Sequence, residues 1–315
     1  MEYMDVISDA VGTIRTGHPH SARTHMSAPW GLRFPALPGA GFHVVLQGSC
    51  WLLPPDSGEP VALSSGDVVF VSHGAEIALA SHPDSPLEVV TREMDDAWAL
   101  VDNDDAAGGT TVLICGSYQL DRARLHPVLA ELPTFIHLPK RVGHHASLSA
   151  IIDLLGSELD HRRPGTDAAI PTLLDAMLLY ILRGWYEDQA TRAAIGWAGA
   201  LADTAVNTAL QLIHRAPARA WTVEELGKHA GLSRAAFARR FTSLVGQPPL
   251  AYLTWWRMTT AGHLLRQSDT PLRAIAEKTG YTSEFSFNRA FKREYGTTPG
   301  NYRRQRMTEV QAIAY

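Results

Sequence analysis

The C-terminal third of the chain contains one pattern of residue types twice, and this repeat constrains the fold more than any other feature. From Ser233 and Ser283 onward, matching residues recur at an offset of 50: Phe237/Phe287, Arg239/Arg289, Phe241/Phe291, Gly246/Gly296, Pro249/Pro299 and Tyr252/Tyr302. Upstream the offset is 49: Leu226/Ile275, Gly227/Ala276 and Gly231/Gly280. Two copies indicate a duplicated module, because a solenoid needs three or more repeats.

Each copy predicts a short helix, a glycine turn and a second helix. Gly231 and Gly280 mark the turns, since glycine adopts positive φ without steric cost. Ser233 and Ser283 are the predicted N-caps of the second helices, whose hydroxyls satisfy free helix amides. Pro271 suits the first turn of the second copy. Phenylalanines at i and i+4 predict the buried side of each second helix, which we call the reading helix.

The outward side of each reading helix carries residue types that suit recognition of bases in the major groove. Arginine pairs with guanine, asparagine with adenine, and glutamate accepts from the cytosine amino group. Small alanines allow close approach, and Phe285 is either a contact for a thymine methyl or a partly buried core residue. The predicted reading residues are Arg234, Ala235, Ala238 and Arg239 in the first copy and Glu284, Phe285, Ser286, Asn288 and Arg289 in the second.

A single helix is predicted over 253–267, between the two copies. If it is rigid, it places both reading helices in successive major grooves on one DNA face, roughly 10 base pairs apart. Neighbouring cations are expected to contact phosphates, which adds affinity without sequence choice. They are Arg257, Lys292, Arg293, Arg303, Arg304 and Arg306.

Charge is distributed unevenly along the chain. Residues 205–306 contain 16 basic and 6 acidic residues, a net charge of +10. The remainder contains 12 basic and 26 acidic residues, a net charge of −14. Such asymmetry favours contact of the basic part with nucleic acid, although a basic face that is merely solvated is the alternative.

The first 125 residues predict a β domain. Short apolar runs are separated by turns rich in glycine, proline and aspartate, which is typical of a small barrel or jelly roll. The predicted strands cover residues 42–46, 50–53, 61–63, 68–71, 77–80 and 112–115, and residues 102–109 predict an exposed loop.

Helical periodicity begins at about residue 125. Apolar residues between 151 and 159 and between 174 and 185 recur at helical spacing. These two helices either cover the barrel or form a dimer interface, and the sequence does not separate the two. Residues 186–202 are predicted to form a hinge region.

No segment predicts secretion or membrane insertion. The first ten residues lack the positive charge and apolar run of a signal peptide. The most apolar helical stretch, 168–185, contains Asp175 and Arg183 and is expected to be too polar for a membrane span. Cys50 and Cys115 show neither metal-ligand spacing nor a disulfide framework. A cytoplasmic protein without membrane contact is therefore expected.

The C-terminal repeat resembles the DNA-binding domain of the AraC/XylS family of bacterial transcription regulators. The resemblance is carried by Gly280-Tyr281, the run from Phe285 to Lys292, Gly296 through Pro299, and Tyr302-Arg303. It covers roughly residues 200–306 and implies a seven-helix domain with two reading helices. The family implies transcription regulation, commonly activation, and the nine reading residues above match its positions.

The N-terminal part is similar to the cupin-like sensor domains of one branch of that family. Catalytic cupins place a His-x-His pair and a glutamate on one strand, whereas here His43 is followed by Val45. His43 and His73, assisted by His25 or His82, are the candidate metal ligands, and scattered core or solvated histidines are the alternative.

The two cysteines, Cys50 and Cys115, are candidates for a redox sensor. A cysteine of this kind requires an accessible thiolate with a low pKa. The alternative is that both are small, buried apolar residues.

Together these features predict an α+β chain of two domains. A cupin-like β-barrel with attached helices forms the N-terminal part, and an all-α domain with two helix-turn-helix motifs forms the C-terminal part. The expected boundaries are 1–125 for the sensor, 126–200 for a helical dimerisation or linker region, and 201–306 for DNA binding.

The predicted function is regulation of transcription through double-stranded DNA. RNA polymerase, an unidentified small-molecule effector and a second copy of the chain are the other expected partners, and the cofactor is unknown. The alternatives are a metal-dependent cupin enzyme with an accessory helical domain and a nucleoid protein indifferent to sequence.

Overall fold

The structure, a computed structural model, describes residues 5–14, 19–36, 39–55, 58–90, 109–120, 125–141, 143–161, 163–192 and 195–304. Contacts divide the chain into two compact units. The barrel unit comprises residues 15–188, and the helical unit comprises residues 1–14 together with 189–315. The loop predicted over 102–109 lies outside the described residues except for Gly109.

The strands of the barrel unit form two five-stranded sheets. In chain order they are β1 (His20–Ser27), β2 (Gly31–Phe34), β3 (Ala40–Gln47), β4 (Ser49–Leu53), β5 (Val61–Ser64), β6 (Val68–Val71), β7 (Ile77–Ala80), β8 (Glu88–Val89), β9 (Thr110–Tyr118) and β10 (Phe135–Leu138). One sheet has the order β1-β9-β3-β6-β10 and the other β5-β4-β7-β2-β8. All six predicted strands are confirmed, as β3 to β7 and β9, while β1, β2, β8 and β10 were not predicted.

Side chains of both sheets meet in one apolar core. Val45 and Leu113 come from the first sheet, Leu52 and Leu79 from the second, and each is almost completely buried. Burial of these residues stabilises the sheets against each other, since each apolar side chain removed from water contributes about 1.5–3 kcal/mol. The short apolar runs of the sequence therefore correspond to strands that line this core.

Helix α2 (Pro127–Ala130) lies between β9 and β10, and α3 (Ala146–Asp160) and α4 (Thr166–Arg192) follow the last strand. Helix α3 packs on β1. In the barrel unit the hydroxyl of Tyr118 in β9 donates a 2.9 Å hydrogen bond to the backbone oxygen of Leu174 in α4. Both predicted helices thus pack on their own unit, which was the first of the two predicted roles.

Helix α4 also contains the only candidate membrane span in the described part of the chain. Its segment Thr166–Ala190 is long and apolar enough by length and composition, although a third of the apolar window is buried. Residues 168–185 were expected to be too polar for a membrane span, and by length and composition they are not. A buried helix of a globular core meets the same conditions, so the observation is weak evidence for a span.

Seven helices follow in the helical unit. They are α5 (Gly196–Ala202), α6 (Thr204–Arg215), α7 (Val223–His229), α8 (Arg234–Val245), α9 (Pro249–Gln267), α10 (Leu272–Lys278) and α11 (Glu284–Tyr295). The helices predicted in the two copies are confirmed, with α8 and α11 as reading helices. Gly231 and Gly280 have φ of 68° and 81°, as the turns require.

Three details of the helical unit differ from prediction. The connecting helix α9 begins at Pro249, one turn earlier than predicted. Pro271 is the N-cap of α10 and lies just outside its first turn. The predicted hinge over 186–202 contains the end of α4 and the whole of α5, because Trp197 and Ala200 are buried and hold α5 in the domain core.

The N-terminal helix α1 (Val6–Ile14) was not predicted and belongs to the helical unit. Asp5 caps it by accepting hydrogen bonds from the backbone amides of Ile7 and Ser8, both at 3.0 Å. Helix α1 packs against α6 and α9. The predicted boundaries at 125 and 200 stay predictions, while contacts divide the chain after residues 14 and 188.

Candidate nucleic-acid interface

The two reading helices have the same length and the same ends. Both α8 and α11 contain 12 residues. Ser233 and Ser283 each accept a hydrogen bond from the backbone amide three residues later, at 3.4 and 3.2 Å. Gly246 and Gly296 end the helices with φ of 79° and 71°. The repeat in the sequence therefore encodes two equivalent helices, since cap and stop residues recur in register.

One side of each reading helix is held in an aromatic core. Phe237 and Phe241 in α8 and Phe287 and Phe291 in α11 are completely buried. The ring centroids within each pair lie 5.6 and 5.8 Å apart. This packing fixes the rotation of each helix about its axis, so the opposite side must face outward.

The nine predicted reading residues lie on that outward side. Six are exposed and three are half-buried: Arg234, Ala235, Arg239, Glu284, Phe285 and Arg289, then Ala238, Ser286 and Asn288. Phe285 is 79% exposed, so the alternative that it is a partly buried core residue is wrong. The exposed ring lies on the same helix as the exposed Arg289 and is available for contact with a ligand.

The arginines of the outward side are available to a ligand. In the described part of the chain, no carboxylate forms an ion pair with Arg234, Arg239 or Arg289. The next residue, Arg240, is different, because its Nε lies 2.6 Å from Oδ2 of Asp203, the N-cap of α6. The two neighbouring arginines of α8 thus differ, because Arg240 is held by a carboxylate and Arg239 has no such ion pair among the described residues.

Two polar residues of α11 are partly engaged within their own helix. The Ser286 hydroxyl donates to the backbone oxygen of Ser283 at 2.8 Å and accepts from the Ser283 hydroxyl at 2.9 Å. The Asn288 amide donates to the backbone oxygen of Glu284 at 3.0 Å. Both side chains are oriented by these bonds before any ligand binds.

Two of the cations expected at phosphates bind backbone oxygens of their own domain. Arg257 donates to the backbone oxygens of Pro217 and Arg219 at 2.6 and 2.9 Å. Arg303 donates to the backbone oxygen of Thr270 at 2.6 Å. Both are half-buried and bind backbone oxygens in the loops that follow α6 and α9, and their predicted phosphate role stays a prediction.

The other predicted phosphate contacts are more exposed. Lys292 is exposed. Arg293 lies 3.4 Å from the carboxylate of Glu294, and Arg304 contacts the side-chain oxygen of Asn301. Arg306 lies outside the described residues.

The candidate metal ligands of the barrel unit have separate partners. His43 in β3 is buried, with Nδ1 3.1 Å from Sγ of Cys115. His73 donates through Nε2 to the backbone oxygen of Leu132 at 2.9 Å. His25 is half-buried and His82 is exposed. No group of three or more His, Cys, Asp or Glu among the described residues is arranged to hold a metal ion. The two-histidine site stays a prediction.

The cysteines of the barrel unit are buried free thiols. Burial raises the pKa of Cys50 to about 12, and the charge of Asp67 adds to the effect. Burial likewise raises the pKa of Cys115 well above its ordinary range. Both are therefore protonated at neutral pH, in contrast to the accessible thiolate of a redox sensor.

A thiol titration tests this state directly. At pH 8 we expect neither Cys50 nor Cys115 of the native chain to react with Ellman's reagent within minutes, because the thiolate is the reacting species. Both should react once the chain is unfolded in guanidinium. Rapid reaction of one thiol in the native protein would contradict the buried, protonated state, and Cys→Ser variants would identify it.

Two capped helices with exposed cations, on a domain that follows a β-barrel, define a DNA-binding transcription regulator with a sensor domain. Residues 5–187 match a cupin family model, and residues 226–305 match a helix-turn-helix domain model. The chain belongs to the AraC-like family of transcription regulators. This family consists of regulators and not of enzymes, so the cupin enzyme alternative is not supported.

The chain is similar over almost its whole length to two curated relatives. It is 34% identical to a putative AraC-like transcription regulator of Streptomyces lividans, covering 96% of this chain and 98% of that protein. It is 32% identical to a putative AraC-like regulator of Streptomyces antibioticus, covering 96% and 100%. A solved structure, the DNA-binding domain of AdpA in complex with a target DNA, is 30% identical over 34% of this chain and 96% of that chain, with a TM-score of 0.32.

Proposed function

We propose that this protein activates transcription by binding two adjacent major grooves through α8 and α11, under control of a signal received by the barrel. In this proposal residues 1–125 sense the signal, 126–200 join two copies or link the domains, and 201–306 bind DNA. The effector is a small molecule or stress signal of unidentified chemistry.

The observation that carries the proposal is the paired outward face of the reading helices. Each helix buries its phenylalanines and exposes arginine. In the described part of the chain, Arg234, Arg239 and Arg289 have no ion-pair partner. An exposed guanidinium on a fixed helix can form two hydrogen bonds with guanine. Nine residues form this face: Arg234, Ala235, Ala238, Arg239, Glu284, Phe285, Ser286, Asn288 and Arg289.

The two helices differ in the specificity that they offer. In α8 the alanines provide little hydrogen bonding, so Arg234 and Arg239, together with DNA shape, supply the selectivity. In α11 the acceptors of Glu284, the oriented amide of Asn288 and the ring of Phe285 add further base contacts. We therefore expect the half-site read by α11 to be the more restricted in sequence.

Control by the barrel requires an effector that binds one conformation better than another. The changed conformation would alter dimerisation through α3 and α4 or the orientation of the domains. Contact with RNA polymerase would turn DNA binding into activation. A cytoplasmic location follows from the need to reach the chromosome.

Footprinting on DNA fragments recovered with the protein from cells tests the proposal. We expect protection on one face of the duplex over two adjacent turns, with centres about 10 base pairs apart. Absence of a protected stretch over two turns would remove the proposal. Similar affinity for random and recovered DNA would support the sequence-indifferent alternative instead.

Arg289→Ala is expected to weaken binding by about 1–3 kcal/mol and to relax selectivity at one base pair, because a bidentate contact to a base is lost. Affinity is measured by fluorescence anisotropy against the recovered site and its three variants at the affected position. Arg273→Ala is the matched control, since Arg273 is 83% exposed on α10 and pairs with Glu277. Equal weakening on all sequences by Arg289→Ala would show a phosphate contact.

A further inference from the structure

Helix α1 is joined in sequence to the sensor but packs with the DNA-binding helices. The cupin family model begins at residue 5, and β1 begins six residues after α1 ends. Yet contacts assign residues 1–14 to the helical unit. Val6 and Ala10 of α1 are 2% and 0% exposed, because this side of the helix packs on α6 and α9.

One contact connects α1 to the first helix-turn-helix copy. The Asp9 carboxylate lies 2.8 Å from Nδ1 of His214 in α6, and Nε2 of His214 lies 2.6 Å from the hydroxyl of Tyr252. The imidazole therefore donates to Asp9 and accepts from Tyr252. The Tyr252 ring in turn packs edge-on against Phe241 of the reading helix α8, with centroids 5.9 Å apart.

A second contact connects α1 to the second copy. Nη2 of Arg266 in α9 donates to the backbone oxygen of Thr13 at 2.6 Å, near the C-terminal end of α1. Nη1 of the same guanidinium donates to the hydroxyl of Tyr302 at 2.7 Å. The Tyr302 ring packs edge-on against Phe291 of the reading helix α11, with centroids 5.4 Å apart.

The two routes use equivalent positions of the repeat. Tyr252 and Tyr302 match at the offset of 50, and so do Phe241 and Phe291. From each half of α1 the path passes through one cationic or imidazole side chain, then a tyrosine, then a reading-helix phenylalanine. Helix α1, nine residues long, thereby contacts α6 and α9 directly and is linked to both copies through Tyr252 and Tyr302.

We propose that α1 is a positioning element that braces the two helix-turn-helix copies, so that both reading helices engage DNA together only while α1 is docked. The inference rests on the proposed function of the reading helices. Release of α1 leaves each copy able to bind its own half-site.

The test compares two DNA fragments in anisotropy titrations with the full chain. One carries the two-turn site defined by footprinting, and the other has one half-site replaced by random sequence. Ala10→Glu introduces a charge into the buried side of α1 and leaves every residue of the helix-turn-helix copies unchanged. We expect this variant to lose about ten- to hundredfold affinity for the two-turn site, as coupling of two linked sites is lost. Its affinity for the single half-site should change by less than about twofold.

Gly12→Ala is the matched control on the exposed side of α1, where an added Cβ meets no atom within 4 Å. It should retain its affinity for both fragments. Asp9→Ala, like Ala10→Glu, should lose affinity for the two-turn site and keep its affinity for the single half-site. An equal loss of affinity for both fragments would show that α1 only supports folding. No loss of affinity for either fragment would show that docking of α1 does not affect DNA binding. Either result would contradict the proposal. If the unaltered chain protects no two-turn site, the proposed function itself has failed.

Discussion

Replacement of Phe287 by alanine is expected to lower the free energy of unfolding of the helical unit by about 3–5 kcal/mol. Phe287 is completely buried in the core of the second copy, among Ile275, Ala276 and Phe291. Truncation removes the transfer free energy of the ring and leaves a cavity that the surrounding helices only partly fill. Urea unfolding of the full chain, followed by tryptophan fluorescence, measures the change.

Phe285→Ala is the control for this variant, two positions earlier on the same helix. Phe285 is 79% exposed, so its truncation should change stability by no more than about 0.5 kcal/mol. Its affinity for the recovered DNA should nevertheless fall, because the exposed ring faces the duplex in our proposal. If Phe285→Ala destabilised the unit as much as Phe287→Ala, the orientation of α11 would be wrong.

Acidification from pH 6.5 to pH 4 is expected to destabilise the barrel unit by about 3 kcal/mol through His43. Burial lowers the pKa of His43 from its ordinary value to about 3. In the unfolded chain the imidazole takes up a proton below about pH 6.5, while in the native barrel it stays neutral until about pH 3. The unfolded state therefore binds more protons in this window, so stability falls as the pH falls.

Urea unfolding at several pH values measures this slope, and His43→Gln separates it from the titration of carboxylates. Between pH 6.5 and pH 4, the free energy of unfolding of the variant should fall less steeply than that of the parent chain, by about 1.4 kcal/mol per pH unit. Above pH 7 the two chains should show the same dependence on pH. His82→Gln is the control, since the His82 side chain is 69% exposed. Identical pH profiles for His43→Gln and the parent chain would contradict the buried neutral imidazole.

The reading helices could be predicted because their signals are local. A cap at Ser233, a stop at Gly246 and an apolar stripe between them all lie within 14 residues, and the second copy repeats them. The same holds for the six predicted strands, whose apolar runs line the core between the sheets. Which side of each reading helix faces outward also followed from the phenylalanine spacing.

Elements with distant partners could not be predicted. Strand β1 has few apolar residues and pairs with β9, about 90 positions away. Helix α1 is short, and isolated helices of that length are marginal in water. Arg257 and Arg303 look like other exposed cations in the sequence, because the carbonyls that they bind lie 40 and 33 residues earlier.

The helical unit is discontinuous, and this has a consequence for synthesis on the ribosome. Asp9 and His214 are 205 positions apart, which at about 5–20 residues per second corresponds to roughly 10–40 s of translation. Helix α1 thus emerges first and must wait, with its apolar side uncovered, until α6 and α9 have been made. The barrel can complete its core in that interval. A nascent chain therefore passes through a stage that has a folded sensor but no competent DNA-reading unit.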